Sequence, residues 1–240
     1  MHKQWDSDGL CDGGDLDCGS GLLLIIKKAM DSIQDHGVLE VHSRDDSVAV
    51  DLPAWCRMVG HELLGVEVYE TYRAFFIQKK ASESHLQAEL EAARGYTWSV
   101  RIRGAEGLHA KVYARNHSFL AGQSADFGAT VDAPSGLDFV VSALGSDLVV
   151  GLKAVASRSK VVLDEVECTV RATLNNVLYA LLLEDDGSPA IDQITVVLYV
   201  ATATDELQIK QLFEKVLERS PLYQTLRKAT KIDVRIEVSL

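Results

Sequence analysis

The sequence predicts an α+β protein in two modules: an N-terminal β-α-β-α-β-β two-layer sandwich, then a second α+β module with a long buried central helix. Three observations predict it. Between residues 8 and 80, short strand-like runs alternate with two stretches of helical apolar period. Residues 81–95, ASESHLQAELEAARG, turn polar and rich in Ala and Glu, which reads as a helical linker. Over residues 96–240, strand-like alternation surrounds one stretch, 135–158, that is apolar nearly all round, as a central helix should be.

Taken in order, a short strand ends near Leu16, and Gly19 or Ser20 can open a helix. Its apolar face is Leu22, Ile26, Ala29, Met30 and Ile33, with Lys27, Lys28, Asp31 and Gln34 outside. Gly37 stops it, and 38–41 reads as a strand. Asp51 is the predicted cap of a second helix, with Pro53 in its first turn and Trp55, Val59 and Leu63 on one side. Strands at 65–69 and 73–78 complete a sheet with both helices on one face. Ser82 or Ser84 can cap the linker helix. Then come strands at 97–103 and 109–114, a loop HSFLAGQSADFG, and the long helix, where Gly145 and Gly151 permit close approach by neighbours. Strands at 165–174, 179–184 and 193–201, an amphipathic helix at 205–219 and a strand at 232–238 finish the chain.

A net charge of −11 argues against a sequence-independent nucleic-acid surface, which needs clustered Lys and Arg. The first residues lack an apolar signal core, so a cytoplasmic protein is expected. The most membrane-like stretch, 139–156, contains Asp147 and Lys153, and no membrane span is expected. Cys11, Cys18, Cys56 and Cys168 show no C-x-x-C spacing, so neither a metal site nor a structural disulfide is expected.

Cys18 carries the chemistry. A thiol at a loop-to-helix junction faces free backbone N–H groups and the positive end of the helix dipole, both of which favour the thiolate. Asp12, Asp15 and Asp17 crowd it with negative charge and oppose that effect. Cys11 is either a redox partner for Cys18 or a strand-end thiol, while Cys56 and Cys168 read as packing. His61 and Glu62 can end the second helix or steer a partner. Asp147, a carboxylate inside an apolar helix, needs a partner. Arg115, Lys153 or a group of another subunit could serve, but Lys153 lies off the i+3 and i+4 positions. Arg115, His117 and Gln123 either line a pocket with it or are solvated.

Both modules resemble known families. Asp12, Leu16 and Cys18 fall on the Asp-x-x-Gly-Leu-x-Cys-Pro-x-Pro turn of the TusA/SirA-like sulfur carriers. Asp45-Asp46, Asp51-Leu52-Pro53 and Gly60-His61-Glu62-Leu63 follow as in that family. Gly19 and Gly21 stand where the family has prolines, and Asp15 where it has glycine. The segment PSGLDFVVSALGSDLVVGLKAVA resembles the central helix of the OsmC/Ohr thiol peroxidases, which are intertwined dimers. In that family a helix cysteine attacks peroxide and a second, in a Cys-Pro element, resolves it. Asp147 and Ser220-Pro221 stand at those positions here, so peroxidase activity is not expected. The resemblance implies a sulfur carrier that accepts persulfide sulfur on Cys18 from a donor protein and passes it to an acceptor protein. The backbone of Gly19, Ser20 and Gly21 would stabilise the anionic sulfur. The OsmC-like half would supply homodimerisation or docking, with Asp147, Ser220 and Arg115 as a remnant pocket, and no cofactor is required. The alternative is a non-catalytic regulatory or binding protein made of two degenerate redox folds.

Overall fold

The computed structural model describes residues 5–80, 86–123, 128 and 131–239. The chain divides into two compact units, one running to Thr97 and including Ser157–Lys160, the other holding Trp98–Ala156 and the residues from Val161 on.

In the first unit, β1 (Gly9–Asp12) leads to a 3-10 turn at Cys18–Ser20 and then to α1 (Leu22–Asp31). β2 (Val38–Ser43), α2 (Val48–Val59), β3 (Glu62–Val68), β4 (Arg73–Gln78) and α3 (Leu86–Arg94) follow. The sheet order is β1-β2-β4-β3, with β1 parallel to β2 and the other pairs antiparallel. Strand alternation sets the layers. Leu39 and Val41 of β2 and Phe75 and Ile77 of β4 share one core with Leu22, Ile26 and Met30 of α1 and Leu52, Trp55 and Cys56 of α2. Both helices therefore cover one face. On the other face Trp5 lies against Phe76, ring centroids 5.2 Å apart, and over Gly65, where any side chain would collide with the indole.

Three details differ from the sequence expectation. β1 ends at Asp12, not near Leu16, as the chain turns at Gly14 with φ +61. α2 begins at Val48, with Ser47 at its cap position, so Asp51 sits within the first turn and Pro53 inside the helix, where its missing N–H removes one rung. Gly60 then takes φ +80 and ends the helix, so Leu63 belongs to β3. Ser82 and Ser84 lie outside the described residues.

The second unit opens with a meander of β5 (Arg101–Gly104), β6 (Ala110–Ala114) and β7 (His117–Ala121). α4 (Gly136–Arg158) follows, started by a reciprocal cap. The Ser135 amide and hydroxyl donate to the Asp138 carboxylate at 2.8 and 2.7 Å, and the Asp138 amide donates back to the hydroxyl at 3.1 Å. β8 (Glu165–Leu174), α5 (Val177–Ala180), β9 (Ile191–Ala201), α6 (Glu206–Arg219), α7 (Pro221–Leu226) and β10 (Lys231–Ser239) complete it. β9 lies between antiparallel β8 and parallel β10, the parallel pair being joined through α6 and α7. Ile194, Val196, Leu198 and Val200, alternate residues of β9, are buried with Leu144, Leu148, Leu152 and Ala156 of α4 and with Ile209, Leu212, Phe213 and Val216 of α6.

Here too the structure corrects the reading. Residues 117–121, expected as loop, pair as β7 with β6. The strand expected at 179–184 is instead α5 and a turn, because the Asn176 side chain accepts the Tyr179 amide at 3.1 Å and nucleates a helix, and Leu182 turns the chain at φ +61. α4 is buried along one stripe only: Leu144, Leu148 and Leu152 are fully covered while Val150 stays 65% exposed. By length and composition this helix could cross a bilayer, but its stripe packs as a core helix does.

Candidate functional site

Cys18 opens the 3-10 turn rather than α1. Asp17 precedes it in extended conformation, and its carboxylate accepts the Ser20 amide at 2.6 Å. Gly21, at φ +98, links the turn to α1 in a conformation that L side chains rarely adopt, and its carbonyl receives the Leu24 and Ile25 amides. The Ser20 amide is thus already occupied, which leaves the amides of Gly19 and Gly21 as the loop's candidates for holding an anionic sulfur.

The thiol of Cys18 is half-buried against the core under α1 and α2. Burial, followed by the carboxylates of Asp51, Asp17 and Asp45, pushes it up to about 11. Asp12 and Asp15 face other groups: Asp12 accepts the Gly14 amide at 3.0 Å, and Asp15 pairs with Arg44 at 3.0 Å. Asp45 holds the amide and hydroxyl of Ser47, and Asp46 pairs with Arg73 at 2.5 Å. Asp51 is exposed; its amide donates to the Ser47 carbonyl at 3.0 Å, and its carboxylate makes no hydrogen bond or ion pair among the described residues. It was legible only as a helix cap; its place beside the thiol follows from α2 starting four residues earlier, with Ser47 in the cap position.

The other thiols are less accessible. Cys11 and Cys56 are buried and pushed up to about 11, mainly by that burial, and Cys168 is raised for the same reason. All four cysteines are free. His61 accepts the Lys80 amide at Nδ1, 3.2 Å away, and meets Trp55 edge-on at 5.7 Å. Burial, then Lys79 and Lys27, push its pKa down. These contacts tie the end of α2 to the end of β4, a structural role.

In the second unit the Ser220 hydroxyl donates to Asp147 Oδ2 at 2.5 Å and accepts the Tyr223 amide at 3.0 Å, capping α7. Asp147 thus meets its polar partner not in Arg115 or Lys153 but in a serine that is 4% exposed. Arg115 stands in the β6–β7 turn at φ +53, exposed, with no bond to either residue. His117 and Gln123 are exposed as well. Cys168 lines an open groove of about 830 Å³ along α4, together with Asp138, Ser142, Gly145 and Ser146. Its sulfur lies 3.5 Å from where a Cβ of Gly145 would stand, so the glycine lets β8 approach α4 closely. Among the described residues no group of His, Cys, Asp and Glu is arranged to hold a metal ion.

Comparison with known proteins divides the chain in the same way. Residues 21–79 match the family described as sulfurtransferase TusA, and residues 128–235 match OsmC-like protein. The first match begins at Gly21, just past Cys18. The chain is 30% identical over 74 residues to sulfur carrier protein TusA of Pseudomonas syringae, covering 31% of this chain and 87% of that protein. It is 36% identical over 59 residues to a putative sulfur carrier protein of Archaeoglobus fulgidus, covering 25% of this chain and 81% of that one. Putative sulfur carrier protein YrkF of Bacillus subtilis is 36% identical over 58 residues, 24% of this chain, but the match spans only 31% of YrkF. Among solved structures, an OsmC-like protein of Mycoplasma pneumoniae superposes with a TM-score of 0.53 at 15% identity, covering 61% of this chain and 99% of that one, a likeness of fold.

Proposed function

We propose that this chain, which belongs to the TusA sulfur-carrier family, carries sulfur on Cys18 between a donor and an acceptor protein. The observation that carries the reading is the position of Cys18: half-exposed, at the head of a turn that meets α1 in a TusA-type sheet. In the transfer, the Cys18 thiolate attacks the outer sulfur of a donor persulfide. The donor's own sulfur leaves as a thiolate, and Cys18 keeps the outer sulfur as a persulfide. An acceptor thiolate then attacks that outer sulfur and regenerates Cys18. The amides of Gly19 and Gly21 are the donors the loop can turn toward a bound persulfide, while burial, followed by Asp51, keeps the unloaded thiol protonated until a partner's positive charge offsets the carboxylate.

The OsmC-like half serves as the homodimerisation module. Its β5–β7 sheet and the segment before it leave Ile102 60%, Trp98 74% and Val100 57% exposed, apolar surface that a second copy would cover. Asp147 and Ser220, hydrogen-bonded where the peroxidases carry their thiols, supply no attacking sulfur, so this half does not reduce peroxide. Four free cysteines suit a reducing, cytoplasmic setting.

Incubation with a persulfide donor, followed by peptide mass mapping, tests the carrier. One sulfur should add to Cys18 and none to the same peptide of Cys18→Ser; equal sulfur addition to both proteins would overturn the reading. One observation favours a second reading, a non-catalytic binding protein: a thiol pushed up to about 11 is almost wholly protonated at neutral pH. Under that reading Cys18 takes up no sulfur even with a docked donor.

A further inference from the structure

We infer that the outward, basic face of the β5–β6–β7 sheet is a docking surface for the acidic rim around Cys18 on a second copy of this chain.

The register of the meander sorts its residues cleanly. Arg101 pairs with Tyr113 and Arg103 with Lys111 across β5 and β6, while Tyr113 pairs with Ser118 and Lys111 with Leu120 across β6 and β7. Because side chains alternate, these residues share one face, and Ile102, Val112 and Phe119 share the other. The first face carries three cations and no carboxylate. Arg101 lies over the Tyr113 ring at 4.9 Å and Lys111 at 5.8 Å from its centroid, which holds both charges against the sheet. None of the three cations has an ion pair among the described residues, and all three are exposed.

This is a local inversion of charge. Residues 98–122 hold four Lys and Arg against one Glu, in a chain of net charge −11. Arg and Tyr, the residue types on this face, are enriched at protein interfaces. A long polyanion would be repelled by the rest of the chain. An acidic protein surface fits best, and the chain carries one. Residues 8–80 hold thirteen Asp and Glu against seven Lys and Arg. Asp51, Asp17 and Asp45 act on Cys18, Asp51 is exposed in the first turn of α2, and Asp46, exposed next to Asp45, is offset by its pair with Arg73. Docking of this kind would set cations beside the very thiol that the carboxylates hold protonated. The association needs no sulfur chemistry, so it stands or falls apart from the carrier reading on which its purpose rests.

Sedimentation velocity on the full chain tests it. At about 50 mM salt the protein should associate beyond its basic oligomer, and the association constant should fall about tenfold or more at about 500 mM, where screening shortens the reach of exposed charges. The triple variant R101E/R103E/K111E and the double variant D46K/D51K should each lose the association at low salt, by about tenfold or more, as three or two exposed pairs turned repulsive together would give. An equimolar mixture of the two should regain it, since each then supplies the charge the other lacks. Salt-independent association, association untouched by either variant, or a mixture that stays apart would each overturn the inference. So would absence of association in the unaltered chain together with salt-sensitive retention on heparin, which would assign the face to a polyanion.

Discussion

Around Cys18 the sequence set two effects against each other, helix-end amides favouring the thiolate and nearby acids favouring the thiol. The geometry resolves the contest through local detail. Because Asp17 caps the Ser20 amide and a 3-10 turn separates Cys18 from α1, the amides give little help, while burial, Asp51, Asp17 and Asp45 push the thiol up to about 11. Replacing Asp51 by Asn should therefore lower the Cys18 pKa and, at about pH 8, speed its alkylation by about threefold to tenfold, the effect of half a unit to one unit. Iodoacetamide kinetics against pH on Asp51→Asn and the unaltered chain measure it; an unchanged profile would mean that Asp51 does not face the thiol. The same shifts bear on stability. Cys11 and Cys56 have folded pKa values near 11 against an ordinary 9.0, so the folded state holds protons that the unfolded state releases. The stabilisation is complete below pH 9 and is lost as pH rises toward 11, which thermal melts across that range should show as a falling Tm. His61 shifts in the other direction: with its pKa pushed down, its contribution is lost as pH falls below the ordinary 6.5.

Among the elements, the α4–α7 junction is held by one side-chain hydrogen bond. Ser220 is buried, caps α7 and donates to Asp147 in α4, so removing the carboxylate strands a hydroxyl that has few alternatives. Asp147→Ala should cost about 1–3 kcal/mol in urea unfolding, and Asp147→Asn, which keeps an acceptor, clearly less. Elements governed by their own periodicity were legible in the chain: the apolar stripe of α1, the alternation of β4 and β8 and the capped amphipathic α6 fall close to where their residues put them. The parts that escaped depend on contacts the pattern does not contain. α5 exists because one Asn side chain reaches one amide, and β7 because β6 pairs with residues that look like a polar loop. Likewise the Asp147–Ser220 bond joins residues 73 positions apart, and no local rule announces it. The place of Cys18 between β1 and α1 was legible, but the charges that act on it depended on where α2 begins.

For the whole molecule, the unresolved account is one of apolar surface. α4 carries apolar residues on most of its surface, yet the chain itself buries only the Leu144, Leu148, Leu152 and Ala156 stripe, and Val150 stays 65% exposed. The apolar face of the β5–β7 sheet is only partly covered: Phe119 meets Phe139 of α4 with ring centroids 5.1 Å apart yet stays 40% exposed, and Ile102 is 60% exposed. Three short strands covered this sparsely have little independent stability. Each such side chain forgoes about 1.5–3 kcal/mol of burial while it faces water. Covering both surfaces with their counterparts from a second chain would recover that energy several times over. The chain is thus expected to sediment as a dimer at micromolar concentration. Ile102→Glu, at a residue 60% exposed in the single chain, tests the point with little effect on any fold the chain holds by itself. A buried unpaired carboxylate at a dimer interface would cost several kcal/mol, so this variant should sediment as a monomer and melt earlier. If Ile102 instead faces solvent in solution as it does in the isolated chain, the substitution will leave both the mass and the Tm unchanged, and the bare faces must then be covered by a different protein.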